Sequence, residues 1–230
     1  MTYLPDLPLG REQAPSTADG NRPSAALIAG AVAGPLLVVS SVAQGLVREG
    51  FDFEAHPPSA LALGSAGIVQ QATFVVSGLL LVVGGRGLRG VGLGRWVPRF
   101  VVVLGTCLAA AGVFRMDPAF GFPPGTPPGV GAHVSWHAAI HGVLFPIGFL
   151  ALVGAAVFAA RRYARAGRSA MSRTAYLAAA SSLVLSLWPN LGGSPDGRFA
   201  PMWVGVAVGY AWTSLLFVDA ARSTPEPVAR

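Results

Sequence analysis

Three histidines, His133, His137 and His141, recur every four residues in the segment GAHVSWHAAIHG. If a helix begins near Ala132, their side chains form one stripe that drifts by about 80° over two turns. Two imidazoles at i and i+4 can share Zn²⁺ or a similar divalent ion, and a third ligand such as His56 or Asp117 would complete the set. Asp52 and Glu54 precede His56 and Ser59 in REGFDFEAHPPS, and paired carboxylates can act as a general acid and base. The plainer alternative is that the histidines cap a helix start and bond loop carbonyls, Asp117 or Asn190. The acids would then pair with Arg48, Arg115 or Arg198. A proton-sensitive gate is a third use of the same ring chemistry. Neither H-E-x-x-H nor H-x-E is present to favour metal. No cofactor is expected beyond that one divalent ion, and no catalytic residue is identified.

What must hold these residues is an apolar chain. Of 230 residues, 53% are hydrophobic and 11% charged, and the mean hydropathy is +0.57. A soluble domain carries roughly 25% charged residues because its surface faces water. This surface must therefore meet hydrocarbon. Cys107 is the single cysteine, which excludes an intramolecular disulfide and a cysteine-based metal site.

Apolar runs of about 20 residues, without apolar/polar alternation, predict helices rather than barrel strands. The expected architecture is an all-α, six-helix integral membrane bundle spanning 24–221, with helices at 24–46, 61–84, 97–116, 136–160, 171–191 and 200–220. Residues 1–23 and 222–230 read as disordered cytoplasmic tails. Ser41 and Ala43 resemble a signal-peptidase site, but the preceding tail is long and carries acids, which argues against cleavage. Gly30 with Gly34, and Gly205 with Gly209, are G-x-x-x-G pairs that would let helix backbones approach. Gln44, Gln70, Gln71 and Ser77 are expected to hydrogen-bond between helices.

Every basic residue is arginine, and thirteen of the sixteen fall in the tails and the second and fourth loops. Arg48, Arg115 and Arg198 lie on the opposite side, so the positive-inside rule places both termini in the cytoplasm of a cell-membrane protein. That asymmetry also accounts for a net charge of +6 and a pI near 10.7, and no nucleic-acid partner is needed. The expected partner is the bilayer itself, with anionic lipids drawn to the arginine-rich loops. Gly85-Arg86-Gly87-Leu88-Arg89-Gly90 matches the dinucleotide spacing G-x-G-x-x-G, yet it follows an apolar run instead of a strand, so no nucleotide is expected.

REGFDFEAHPPSALALGSAG after the first helix, and GVFRMDPAFGFPPGTPPG followed by histidines after the third, resemble the bacterial and archaeal membrane family called domain of unknown function 998. The resemblance covers residues 25–220. It rests on Phe51-Asp52 with His56 and Ser59, on Phe114, on Asp117-Pro118 with its Gly/Pro run, and on His137 and His141. The second proline of Pro57-Pro58 and His133 have no counterpart in the pattern. The resemblance implies a multi-pass membrane protein, and it supplies no activity and no catalytic residues. The expected function is that of a non-enzymatic membrane component, accessory, sensory or lipid-interacting. The alternatives are a metal-dependent enzyme at the outer leaflet and a small transporter or channel.

Overall fold

The computed structural model of the chain describes residues 24–191 and 198–223, the last three of the first stretch by their backbone alone. The tail 1–23, nearly all of the tail 222–230, Asp196 and the side chain of Asn190 lie outside the described residues. Six helices follow in order: α1 Ala25–Val47, α2 Gly67–Gly87, α3 Trp96–Val113, α4 Trp136–Arg165, α5 Ser169–Leu191 and α6 Ala200–Arg222. Each packs on the next, and α6 returns against α1 to close a ring. Among the described residues there is no strand beyond a single bridge between Ala119 and Phe122.

Five of the helices, all but α5, are long and apolar enough to cross a membrane. The chain is therefore an all-helical, multi-pass membrane protein. Five serines, Thr174 and Arg173 dilute the apolar content of α5. Serine caps the starts of two helices. The Ser24 side chain accepts from the Leu27 amide at the start of α1, and Ser135 does the same for Ala138 at α4. Both α1 and α4 run unbroken through an internal proline, Pro35 and Pro146.

Four helix ends differ from the sequence expectation by three residues or more, among them the end of α2, which runs to Gly87 instead of 84. Helix α2 starts at Gly67 instead of 61, because Pro58–Ala62 winds into a 3-10 turn. Arg48 takes the carbonyls of Leu61 and Leu63 at 3.2 and 2.6 Å, and Gln71 takes that of Ala62, which holds the turn apart from α2. Helix α3 ends at Val113, short of 116, where Phe114 turns to an extended backbone. Helix α4 runs past 160 to Arg165, since nothing breaks it before Gly167, whose φ of +73° suits glycine.

Small residues bring the helices together. A Cβ on Gly34 would lie 2.5 Å from the Tyr210 carbonyl oxygen, so the Gly30/Gly34 pair marks the α1–α6 contact. Gly205 and Gly209 face Ser186 and Ser182 of α5. The α2–α3 contact, which no G-x-x-x-G pair marks, is slightly closer: a Cβ on Gly78 would fall 2.4 Å from the Ala109 backbone nitrogen, and one on Gly105 2.6 Å from the Gly78 carbonyl oxygen. Between α1 and α2, Ser40 meets Thr73 at 2.9 Å, and Gln70 joins Ser41 and Gln44 through bonds of 2.7 to 3.2 Å. Gln44 and Gln70 thus bond between helices as expected, whereas the buried Ser77 hydroxyl has no hydrogen-bond partner among the described residues.

Two alanine substitutions separate contact from open space. Gly78→Ala must push α2 from α3 and should destabilise by about 1–3 kcal/mol. Gly142→Ala, with nothing within 4 Å of the added carbon, should be neutral or stabilising. Melting of both variants in detergent reads the difference directly.

Candidate functional site

The first loop, 48–66, and the third, 114–135, meet at one end of the ring, where α6 begins. His56 is the staple between them, 4% exposed. The Asp52 amide donates to Nδ1 at 2.8 Å, so Nε2 carries the hydrogen and donates to the Phe120 carbonyl at 2.9 Å. The His56 carbonyl in turn accepts from Trp203 Nε1 at 3.0 Å, and the Phe199 amide donates to the Glu54 carbonyl at 2.7 Å. Phe51, Phe53, Phe122 and Trp203 pack edge-on around this joint. The Arg48 guanidinium covers the Phe122 ring, 5.4 Å from its centre.

The other predicted residues lie apart. Because α4 begins at Trp136 and not near Ala132, His133 sits ahead of the helix, exposed, and joins no stripe. His137 stacks on Trp136 with ring centres 3.6 Å apart, and its Nδ1 is buried without a hydrogen-bond partner among the described residues. His141, one turn deeper and 8% exposed, donates Nδ1–H to the Phe114 carbonyl at 2.7 Å, which leaves Nε2 as its acceptor. Asp117 accepts from the Ser135 amide at 2.7 Å and so anchors the start of α4. Hydrogen bonds from Ser135, its hydroxyl first and its amide second, hold the Asp117 carboxyl below its ordinary range. Asp52 accepts from the Glu54 amide in a tight turn, and the Glu54 side chain is exposed.

Among the described residues, no three of His, Cys, Asp and Glu gather as a metal would require. His137 and His141 are the pair at ligand spacing, and a metal at His56 would have to displace both of its ring hydrogen bonds. Among the described residues the expected loop ion pairs are not formed, and the one ion pair joins Arg168 to Asp219, at the far end of the bundle. Tyr163 also donates to that Asp219 carboxylate at 2.9 Å, tying α4 and the turn before α5 to α6.

Beneath the two loops lies a cavity of about 950 Å³. Leu37, Val38 and Ser41 of α1, Leu104 and Cys107 of α3, and Met202, Ala207 and Tyr210 of α6 form its walls. Helix α4 adds Ala138, His141, Gly142, Phe145, Gly148 and Leu152, while Phe53, Ser59, Met116 and Phe120 roof it. The space exists because α4 places small residues here: Gly142 has open volume where a Cβ would stand. Farther along α4, Ala155, Ala156, Ala159 and Ala160 are at most 1% exposed and the ring is packed solid. Of the site residues expected from sequence, His141 and Ser59 line the cavity. The cavity's one sequence signal is the Ala138, Gly142, Gly148 series, which is indistinguishable from any small-residue packing stripe.

The family model described as Protein of unknown function (DUF998) matches residues 31–219, and the chain belongs to that family. No curated protein matches the chain. No solved structure matches it either.

Replacing His56 with Ala leaves the Asp52 amide and the Phe120 carbonyl unpaired in a buried place. At about 1–3 kcal/mol for each orphaned group, the melting temperature should drop clearly and protease should cut loops one and three sooner. Asp117 makes a separate, pH-dependent contribution. Its folded-state value is depressed, so the stabilisation is present above the ordinary carboxylate range and is lost as pH falls through the depressed value. Hydrogen exchange at the Ser135 amide, corrected for intrinsic rate, should therefore quicken on strong acidification, and already at neutral pH in Asp117→Ala.

Proposed function

We propose that this family member crosses the cell membrane six times, keeps both termini in the cytoplasm, and serves as a non-enzymatic component that holds a lipid-like guest under its outer loops. The observation that carries the reading is the chamber. Its volume of about 950 Å³ lies at the upper end of the roughly 300–1,000 Å³ that ligand sites occupy, and its walls are predominantly apolar. His141 and Ser59, with Ser41 and Tyr210 deeper in, supply the few polar groups that would orient one end of an amphipathic molecule. The packed half of the ring below, with Phe217, Leu216 and Ala156 at 0% exposure, favours a holder over a pore.

Support for a sixth crossing comes from the surroundings of α5. It packs against α4 and α6, yet Leu177 is 69% and Val184 52% exposed, as on the lipid-facing sides of the other helices. Arginine asymmetry supports the sidedness: loops two and four share one end of the bundle, where Arg162 donates to the Gly92 carbonyl, and loops one and three share the other.

Two experiments bear on this. Gly142→Phe fills open space and should melt no lower than the parent, while lipid co-purified with the protein, counted by mass spectrometry, falls sharply; undiminished lipid would defeat the chamber reading. In a Cys107→Ala background, His133→Cys should react with a membrane-impermeant maleimide on intact cells, and Arg89→Cys only after permeabilisation. The reverse pattern would overturn the orientation.

A further inference from the structure

At the end of the bundle opposite the chamber, the second loop (88–95) and the last turns of α4 enclose a hollow of about 250 Å³. We propose that this hollow binds a phosphate group, supplied by the headgroup of an anionic phospholipid or by free phosphate. The proposal is independent of the chamber. Four guanidiniums line the hollow, those of Arg95, Arg161, Arg162 and Arg165, together with the rings of Trp96 and Phe158. Each of three is positioned by a partner that carries no net charge. Arg162 donates Nε and Nη2 to the Gly92 carbonyl at 3.1 and 2.8 Å, Arg95 lies 5.2 Å from the centre of the Trp96 ring, and Arg161 lies 5.8 Å from that of Phe158.

Positioning without neutralisation is what points to a ligand. Among the described residues the one ion pair, Arg168 with Asp219, leaves these four arginines without a carboxylate. Gathered cations repel one another, and a multiply bonded anion removes that repulsion while accepting from planar guanidinium forks, a geometry that phosphate matches. The depth fits a headgroup. Trp96 is 41% exposed, as interfacial tryptophans are, and Phe100 and Val103 continue the same face of α3 into the apolar zone, where an acyl chain could lie.

The test uses the full chain in nanodiscs of phosphatidylcholine, with either a minor fraction of phosphatidylglycerol or added inorganic phosphate. Bound lipid is counted by native mass spectrometry, and phosphate binding is followed by the rise in melting temperature. Arg95→Gln/Arg165→Gln spares both the Arg162–Gly92 bond and the Arg168–Asp219 pair, and should weaken phosphatidylglycerol binding by roughly 30-fold. Arg86→Gln/Arg89→Gln, which removes two charges from the same end but outside the hollow, should lose far less. If the double variant does not fold, Arg165→Glu alone takes its place with the same expected direction. Saturable protection by inorganic phosphate, abolished by the same variant and without phosphatidylglycerol enrichment, would assign the group to free phosphate. Equal losses in the two double variants, or no binding in either arm, would overturn the proposal.

Discussion

Backbone packs on backbone where this bundle is tightest, and the rest of the architecture depends on that closeness. In hydrocarbon, apolar side chains gain nothing by leaving lipid for one another, so helices associate through van der Waals contact and interhelical hydrogen bonds. Gly78 against Gly105, and Gly34 against the Tyr210 carbonyl, supply the contact, and the Gln44–Gln70–Ser41 set supplies the bonds. Phe217 fills the place where α1, α2 and α6 converge, lodged against Gly30 and Gly84. With the alanine-rich turns of α4 closing the same half, the ring has one solid end and one hollow end.

The loops over the hollow end are joined by hydrogen bonds as well as by aromatic packing. Loops that pass over an apolar cavity must satisfy their own backbone groups. His56 answers this by accepting from one loop amide, donating to the carbonyl of another loop, and offering its own carbonyl to Trp203. Arg48 plays a parallel part beneath, holding two carbonyls of the 3-10 turn. Two of the residues that suggest catalysis in a list of letters, His56 and Asp117, are here engaged in holding the loops. His141 differs from them, since its ring lines the cavity and one of its nitrogens is spent on Phe114.

The solid end carries the opposite chemistry. Its arginines are exposed, four of them (Arg95, Arg99, Arg161 and Arg168) lie over aromatic rings, and Asp219 is its single carboxylate among the described residues, already engaged by Arg168 and Tyr163. An apolar chamber at one end and an uncompensated cationic hollow at the other give the molecule two faces suited to different parts of a bilayer.

The amino-acid sequence alone determined the solvent this protein lives in. Low charge and long apolar runs cannot be reconciled with water, and helix is the form that pairs every backbone group within one segment. It also marked the Gly30/Gly34 and Gly205/Gly209 contacts and the family, because these depend on local residue type and spacing. Tertiary structure decided the site. Whether His137 and His141 meet a third ligand, whether His56 has a free nitrogen, and whether α2 starts at 61 or 67 all turn on partners such as Phe120, Phe114 and Leu63, which are brought near only when loops fold over helices. The chamber belongs to the same class: an absence of atoms has no residue of its own, and Gly142 beside open space reads the same as Gly78 pressed against a neighbouring backbone until the helices are assembled.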